Sequence, residues 1–270
     1  MRQSLERLDL WAAVHVEVAA LPPSKMFRRI PNFLILLCIK IVAITLWRRK
    51  TEWIGEVPED PWDDFRIVVV LNHTSLFEWI YAGSVPNRFL WRIVTHGLVP
   101  AADTTLNRPF VGLFFKVVIP NLVSITRQPD HTWRAVLRRA ESDTMVILFP
   151  EGRMKRADGF DKRGRPMTVR GGVADLLRAM PEGRMLIAYS AGLHHIQVPG
   201  QHFPRLFRKT KIKFESLDIA KYKASSPDGP EAGNFKHWIK RDMERRRDLH
   251  CPPGPGNPVA TVSSDQSRAG

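Results

Sequence analysis

The sequence predicts an α/β fold, with a mostly parallel central sheet flanked by helices and an N-terminal membrane-associating helical segment in front of it. Residues 68–71, 144–149 and 185–190 are strand-length runs without a polar face, which is typical of buried parallel strands. Segments with apolar residues at helical spacing, such as 130–140, lie between them. Shorter strands are predicted at 122–126 and 212–217, and helices at 171–180 and 235–247.

The chain divides into three predicted regions. Residues 1–55 form the N-terminal helical, membrane-associating region, residues 56–250 the α/β domain, and residues 251–270, rich in Pro, Gly and Ser, a disordered tail. The apolar segment 33–47 is shorter than the ~20 residues that span a bilayer, and basic residues flank it. It predicts a helix lying in an anionic interface; a buried core helix and a true span are the alternatives.

The charge of the chain predicts an anionic partner. Forty-one Lys and Arg against 27 Asp and Glu give a net charge of +14, which suits nucleic acid, an anionic membrane surface or a phosphorylated small molecule. No nucleic-acid-binding motif is present, so nucleic acid is not the expected partner. Cys38 and Cys251, the two cysteines, predict neither a disulfide framework nor a cysteine metal site, which fits a reducing compartment.

The strongest candidate for chemistry follows the strand at 68–71. His73 comes at the carboxyl end of that strand, where ligands bind in open α/β sheets. Ser75 and Glu78 have the spacing of a helix capping box, so Glu78 is one turn beyond the histidine. Glu78 is predicted to orient the imidazole, to cap the helix, or to do both.

Further candidates follow the later strands. Arg127, Arg153 and Lys155 are predicted to bind phosphate, with a solvated basic loop as the alternative. Backbone amides around Gly152 are expected to add to that site. Glu151 is expected to orient the arginines or to form a buried ion pair.

Three stretches together resemble the glycerophospholipid acyltransferase family. Asn72-His73-Thr74-Ser75-Leu76-Phe77-Glu78 resembles its Asn-His-x-Ser-x-x-Asp motif, with Glu in place of Asp. Pro109-Phe110-Val111-Gly112 with the strand ending at Arg127 resembles its second motif. Phe149-Pro150-Glu151-Gly152 resembles its Phe-Pro-Glu-Gly-Thr-Arg motif, but Arg153-Met154 replace the Thr-Arg pair. A fourth motif, a strand ending near Val-Pro, is represented by Ile187-Ala188-Tyr189-Ser190 without the Pro.

The resemblance implies acyl transfer from a thioester, either acyl-CoA or acyl carrier protein as co-substrate, to a hydroxyl of a phosphorylated glycerol or lysolipid. His73 would be the general base and Glu78 its partner, with no acyl-enzyme, metal or other cofactor. The expected location is the cytoplasmic face of the membrane, as a peripheral or monotopic protein.

Two other interpretations stay open at this stage. Ser190, in Ala188-Tyr189-Ser190-Ala191-Gly192, resembles the nucleophile elbow of an α/β-hydrolase. Its base would be His194, His237 or His250, and its acid Asp218. Alternatively, the departures from the motifs indicate a non-catalytic relative that binds lipid or a membrane surface. The adjacent His194 and His195 also suggest a metal site, but no further ligand stands at a useful spacing.

Overall fold

The structure is a computed structural model, and it describes residues 29–107, 112, 118–119, 121–126, 130–140, 143–198, 201 and 203–253. Residues 1–28 of the predicted N-terminal region, most of the predicted tail, residues 109–111 and Arg127 lie outside the described residues. The predictions made for them stay predictions.

Seven strands of the described chain form one sheet with the order β1-β7-β6-β2-β5-β3-β4. Only the β6–β7 pair is antiparallel, and the other neighbours run parallel. This confirms the predicted fold class of a mostly parallel sheet flanked by helices. The strands are β1 (Arg48–Ile54), β2 (Phe65–Leu71), β3 (Gly97–Ala102), β4 (Leu122–Ile125), β5 (Met145–Leu148), β6 (Arg184–Ser190) and β7 (Lys209–Asp218).

Helices cover both faces of the sheet. The first face carries α1 (Ile30–Leu46), a 3-10 helix (Leu76–Ser84) and α2 (Asn87–His96), packed on Phe65, Leu186 and Phe214. The second face carries α4 (His131–Ala140), α5 (Gly172–Ala179), α6 (Ile219–Ala224) and α7 (Phe235–His250), packed on Ile67, Val69 and Ile187. The short helix α3 (Asp103–Leu106) follows β3.

The two central strands explain where ligands can bind. β2 lies between β5 and β6, parallel to both, so the carboxyl ends of all three strands meet at one edge of the sheet. Both faces of β2 are covered by helices, which explains why its sequence is apolar from Ile67 to Leu71. The turns after Leu71, Leu148 and Ser190 therefore come together.

The structure differs from the sequence-based expectation in three places. β1 falls within the predicted N-terminal helical region, yet it is a strand that pairs with β7 along its whole length. β3 was not predicted because Pro100 interrupts its apolar run. The helix predicted after Ser75 is a 3-10 helix rather than an α-helix.

The predicted helix at 33–47 is present as α1. Leu36 and Ala43 face the protein, whereas Leu34, Ile41 and Val42 are exposed. Among the described helices, none has the length and apolar character that a bilayer crossing requires.

Candidate active site

The turn that carries His73 depends on Asn72. Asn72 has φ +64°, in the left-handed region that Asn tolerates better than most residues. Its side-chain amide donates to the Ser190 carbonyl over 2.9 Å, which ties the end of β2 to the end of β6. The chain turns sharply after Leu71 and presents His73 at the edge of the sheet.

His73 and Glu78 form the hydrogen-bonded pair that the sequence predicts. The Nδ1 atom of His73 bonds to Oε2 of Glu78, and the other carboxylate oxygen accepts from the Thr74 N–H over 2.9 Å. Glu78 is 9% exposed. Ser75 Oγ accepts from the Phe77 N–H, so Ser75 caps the 3-10 helix. Glu78 thus contacts the imidazole and supports the turn at the same time, because its two oxygens accept from different donors.

Glu151 lies behind the histidine turn. Its carboxylate is fully buried and accepts from the N–H groups of Asn72 (3.2 Å) and His73 (2.8 Å). Arg247 of α7 approaches it at 3.5 Å. Burial raises the pKa of Glu151 above the usual range of a carboxyl group. The described contacts of Glu151 therefore fix the backbone of the turn and form a buried ion pair with Arg247.

Arg153 is held by a neighbouring loop. Its guanidinium pairs with Asp161 and donates to the Pro166 carbonyl and the Thr168 hydroxyl, each over 3.3 Å. Asp161 also pairs with Arg165. These contacts order the basic loop, and a phosphate-binding role of Arg153 stays a prediction.

The predicted residues on either side of Arg153 also make backbone contacts. Gly152 has φ +62° and donates its N–H to the Phe149 carbonyl, so that amide is already engaged. The Lys155 N–H donates to the His73 carbonyl over 2.7 Å. Burial lowers the pKa of the Lys155 ammonium. His194 bonds to the Lys155 carbonyl over 2.8 Å, and burial lowers its pKa as well.

A cavity of about 590 Å³ opens beside His73 and Glu78. Its lining comes from the first face of the sheet, the 3-10 helix and α2, and also from α4, α5 and α7 of the second face, and it is mainly apolar. The apolar lining includes Leu36, Val68, Val70, Trp79, Phe89, Ile93, Val118, Ile147, Leu186, Ala188 and Phe214. A volume of this size is in the range of small-molecule sites, and the apolar lining suits an apolar group such as a hydrocarbon chain.

Two basic side chains line the same cavity and were missed in the sequence. Arg170 lies next to Gly152: a side chain on that glycine would come within 3.0 Å of the Arg170 Nε. Lys236 of α7 pairs with Asp175 of α5 over 3.0 Å. The only sequence signal was that Arg170 ends the basic loop and directly precedes two glycines at a helix start.

Ser190 is not arranged as a nucleophile. It is fully buried, and its hydroxyl bonds to the Tyr81 hydroxyl over 2.7 Å and accepts from the Gly192 N–H over 3.0 Å. The Asp218 carboxylate caps α6 by accepting from the Lys221 N–H. The ring of His250 packs against Tyr189. The hydrolase interpretation therefore has no supporting geometry. In the part of the chain that the structure describes, no group of His, Cys, Asp and Glu could hold a metal ion.

A family model for Acyltransferase matches residues 56–193, just over half of the chain. The matched region contains the His73–Glu78 pair, Glu151 and most of the cavity wall. The chain therefore belongs to the Acyltransferase family and is an acyltransferase enzyme, which excludes a hydrolase of the α/β-hydrolase type.

Comparison with solved structures gives a similarity to the 1-acyl-sn-glycerophosphate (LPA) acyltransferase PlsC from Thermotoga maritima. The identity is 18%, the match covers 79% of this chain and 80% of that one, and the TM-score is 0.46. A similarity of this extent is too low to carry an inference about residues or substrate. No curated protein sequence matches the chain at a significant level.

Proposed function

We propose that the enzyme moves a fatty acyl group from acyl-CoA or acyl carrier protein to a hydroxyl of glycerol-3-phosphate, lysophosphatidic acid or a related lysolipid, with His73 as general base. The observation that carries this proposal is the His73–Glu78 pair on the wall of a mainly apolar cavity. A base and a hydrocarbon-sized space in one site are what transfer of a fatty acyl group requires.

The chemistry follows from the pair. Because Glu78 accepts at Nδ1, the proton of the neutral imidazole sits on Nδ1 and the lone pair is carried by Nε2. Nε2 takes the hydroxyl proton as the oxygen attacks the thioester carbonyl. The carboxylate stabilises the imidazolium that forms, as in hydrolase triads. Collapse of the tetrahedral intermediate releases the thiol, which receives the proton from Nε2.

The acyl chain occupies the apolar part of the cavity in this proposal. Its walls cross the sheet from β7 to β4 and offer few polar groups away from His73 and Glu78. Burying methylene groups there gives about 0.8 kcal/mol for each one. The thioester carbon would then lie near the imidazole.

The phosphorylated end of a substrate meets Arg170 and Lys236 in this proposal. These are the permanently cationic side chains among the described cavity residues. Arg170 suits bidentate contact with phosphate, and Lys236, which pairs with Asp175, adds a second cationic side chain. The acceptor phosphate and the phosphates of CoA are both candidates for this end.

We also infer that the enzyme works at the cytoplasmic face of the membrane, as a peripheral or monotopic protein. Exposed apolar residues on α1 support this inference, and exposed Arg48 and Arg49 directly follow that helix. The net charge of +14 favours an anionic lipid surface.

The decisive test offers the purified protein labelled acyl-CoA or acyl carrier protein, with glycerol-3-phosphate and a panel of lysolipids. We expect transfer to at least one acceptor, and loss of nearly all turnover in His73→Ala. His237→Ala, which removes an exposed histidine on α7, is the matched control. Transfer that is independent of His73 would refute the assigned base, and no transfer would favour the non-catalytic relative.

A further inference from the structure

The loop before β7 exposes large apolar side chains to water. Phe203 is 82% exposed and Phe207 66%, and Leu206 between them is also exposed. Single exposed apolar residues are common on proteins, but three within five positions form a patch. Such a patch indicates a surface that is covered in the working state of the protein.

The backbone holds Phe207 in this exposed position. Its φ is +58°, in the left-handed region that bulky side chains rarely adopt. The Phe207 N–H donates to the Leu46 carbonyl over 2.7 Å, and the Trp47 indole N–H donates to the Arg205 carbonyl over 3.0 Å. The surrounding structure therefore maintains a strained residue whose side chain is mostly exposed, so that burial offsets little of the strain.

These bonds join the loop to the end of α1. The exposed side chains of Ile41, Val42 and Ile44 lie in the last two turns of that helix. The aromatic loop and the end of α1 thus present their apolar side chains from neighbouring segments.

Positive charge accompanies this apolar surface. Arg48 donates its N–H to the Arg208 carbonyl, and β1 pairs with the start of β7, so the basic residues of both segments are neighbours. Of these, Lys50 pairs with Glu52. The exposed cations on the two segments are Arg48, Arg49, Lys50, Arg205, Arg208 and Lys209.

We propose that residues 203–208 are a second membrane-docking element, which inserts Phe203 and Phe207 into an anionic lipid surface beside α1. Aromatic rings insert at the level of the headgroups, and flanking cations attract anionic lipid. This inference extends the proposed function by naming a docking element beyond α1.

The loop is also connected to the active site. The Arg205 N–H donates to the Ile196 carbonyl, and the next residue, Gln197, donates to the Gln201 carbonyl. The side chain of Gln197 accepts from the Ser75 hydroxyl over 2.6 Å, two residues from His73. Docking through this loop therefore fixes the position of the His73 turn relative to the lipid surface.

Sedimentation with lipid vesicles tests the proposal. The full-length chain and a Phe203→Ser, Phe207→Asn double variant are compared on vesicles of mixed phosphatidylglycerol and phosphatidylcholine, and on phosphatidylcholine alone. Asn is chosen because it tolerates a positive φ. Leu249→Ser is the matched control, since Leu249 is 68% exposed on α7, over the opposite face of the sheet.

We expect the double variant to bind mixed vesicles at least about tenfold more weakly, because burial of even one ring contributes about that factor. Leu249→Ser should bind like the wild type, and removing phosphatidylglycerol should weaken binding of the wild type. Unchanged binding of the double variant overturns the proposal, as does wild-type protein that stays in solution. A double variant that alters self-association in the absence of vesicles, with vesicle binding intact, overturns it in favour of a second copy.

Acyl transfer separates this inference from the proposed function. With acceptor dispersed in detergent, the double variant should keep the wild-type rate, whereas with acceptor embedded in vesicles it should be slower. A wild type that binds vesicles through the loop but transfers no acyl group would refute the proposed function and leave the docking element intact.

Discussion

Replacing Glu78 by Gln is expected to remove most of the acyl-transfer rate while keeping the fold. The carboxylate serves two donors at once, Nδ1 of His73 and the Thr74 N–H. Glutamine has a single oxygen, so it can accept from only one of them. The orientation that keeps the buried Thr74 N–H satisfied places the NH₂ group against Nδ1 and moves the imidazole proton to Nε2.

The size of the loss follows from these contacts. A hydrogen bond to a charged group contributes about 1.5–3 kcal/mol, and the imidazolium would lose one. The opposite orientation of the glutamine amide would restore the tautomer with the proton on Nδ1. It would leave the Thr74 N–H without an acceptor, which costs about 1–3 kcal/mol. At 1.36 kcal/mol for each tenfold, kcat should fall by about 10²–10⁴.

Steady-state transfer on the acceptor that the wild type uses best provides the assay, with the unfolding temperature measured in parallel. Glu52→Gln, on a partly buried glutamate of β1 that pairs with Lys50, is the matched control. A kcat within about threefold of the wild type in Glu78→Gln would refute the assigned role, because it corresponds to less than one ordinary hydrogen bond. Glu78 would then only support the turn.

Three further outcomes are expected. Glu151→Ala leaves two buried N–H groups of the histidine turn without an acceptor, so urea unfolding should show a loss of about 2–5 kcal/mol. Arg170→Gln should raise KM for a phosphorylated substrate about tenfold with little change in kcat, because a charge-assisted bond to phosphate is lost. His194 has a pKa below 6.5 because of burial, so it favours folding above that pH and loses this contribution as the pH falls from 6.5 through its folded value. Between pH 7.5 and 5.5, unfolding of His194→Gln should therefore show a shallower pH dependence, by up to about 1.4 kcal/mol per pH unit.

Each of these has a control and a contrary result. Glu151→Gln keeps one acceptor oxygen and should lose less stability than Glu151→Ala; equal stability of Ala and wild type would contradict the bracing role. Arg163→Gln, on an exposed residue of the basic loop, should leave KM unchanged. If Arg170→Gln and the wild type had equal KM values for a phosphorylated substrate, the phosphate would bind elsewhere. If the free energy of unfolding changed with pH in the same way in His194→Gln and the wild type, a group other than His194 would control this pH dependence.

The central strands of the sheet could be predicted from the sequence because buried strands consist of runs of apolar residues. β2, β5 and β6 are covered on both faces, and their sequences are therefore mainly apolar. The exceptions stand near the strand ends: Arg66 in β2, and Arg184 and Ser190 in β6. β1, with the sequence RRKTEWI, was missed because it lies at the edge of the sheet and four of its residues are exposed. An edge strand of this kind has neither alternation nor an apolar run to indicate it.

The same contrast applies to the site. His73 and Glu78 are five positions apart, so local spacing was enough to predict their contact. Arg247 and Lys236 reach the site because α7 packs on the second face of the sheet, far along the chain from the histidine. No local pattern reports such a packing, and their approach to the site could be found only in the folded protein.

The pairing of β1 with β7 has a consequence for the order of folding. Arg48 aligns with Lys209, so β1 can pair with its neighbour only after residues that are synthesised much later. While the chain is being made, α1 and β1 emerge early, yet β1 has no neighbour until β7 follows β6 into place. A growing chain that stops before residue 209 can assemble β2, β5 and β6 but leaves β1 unpaired. Completion of this edge is therefore a late event, whereas α1 can already pack on the 3-10 helix and α2.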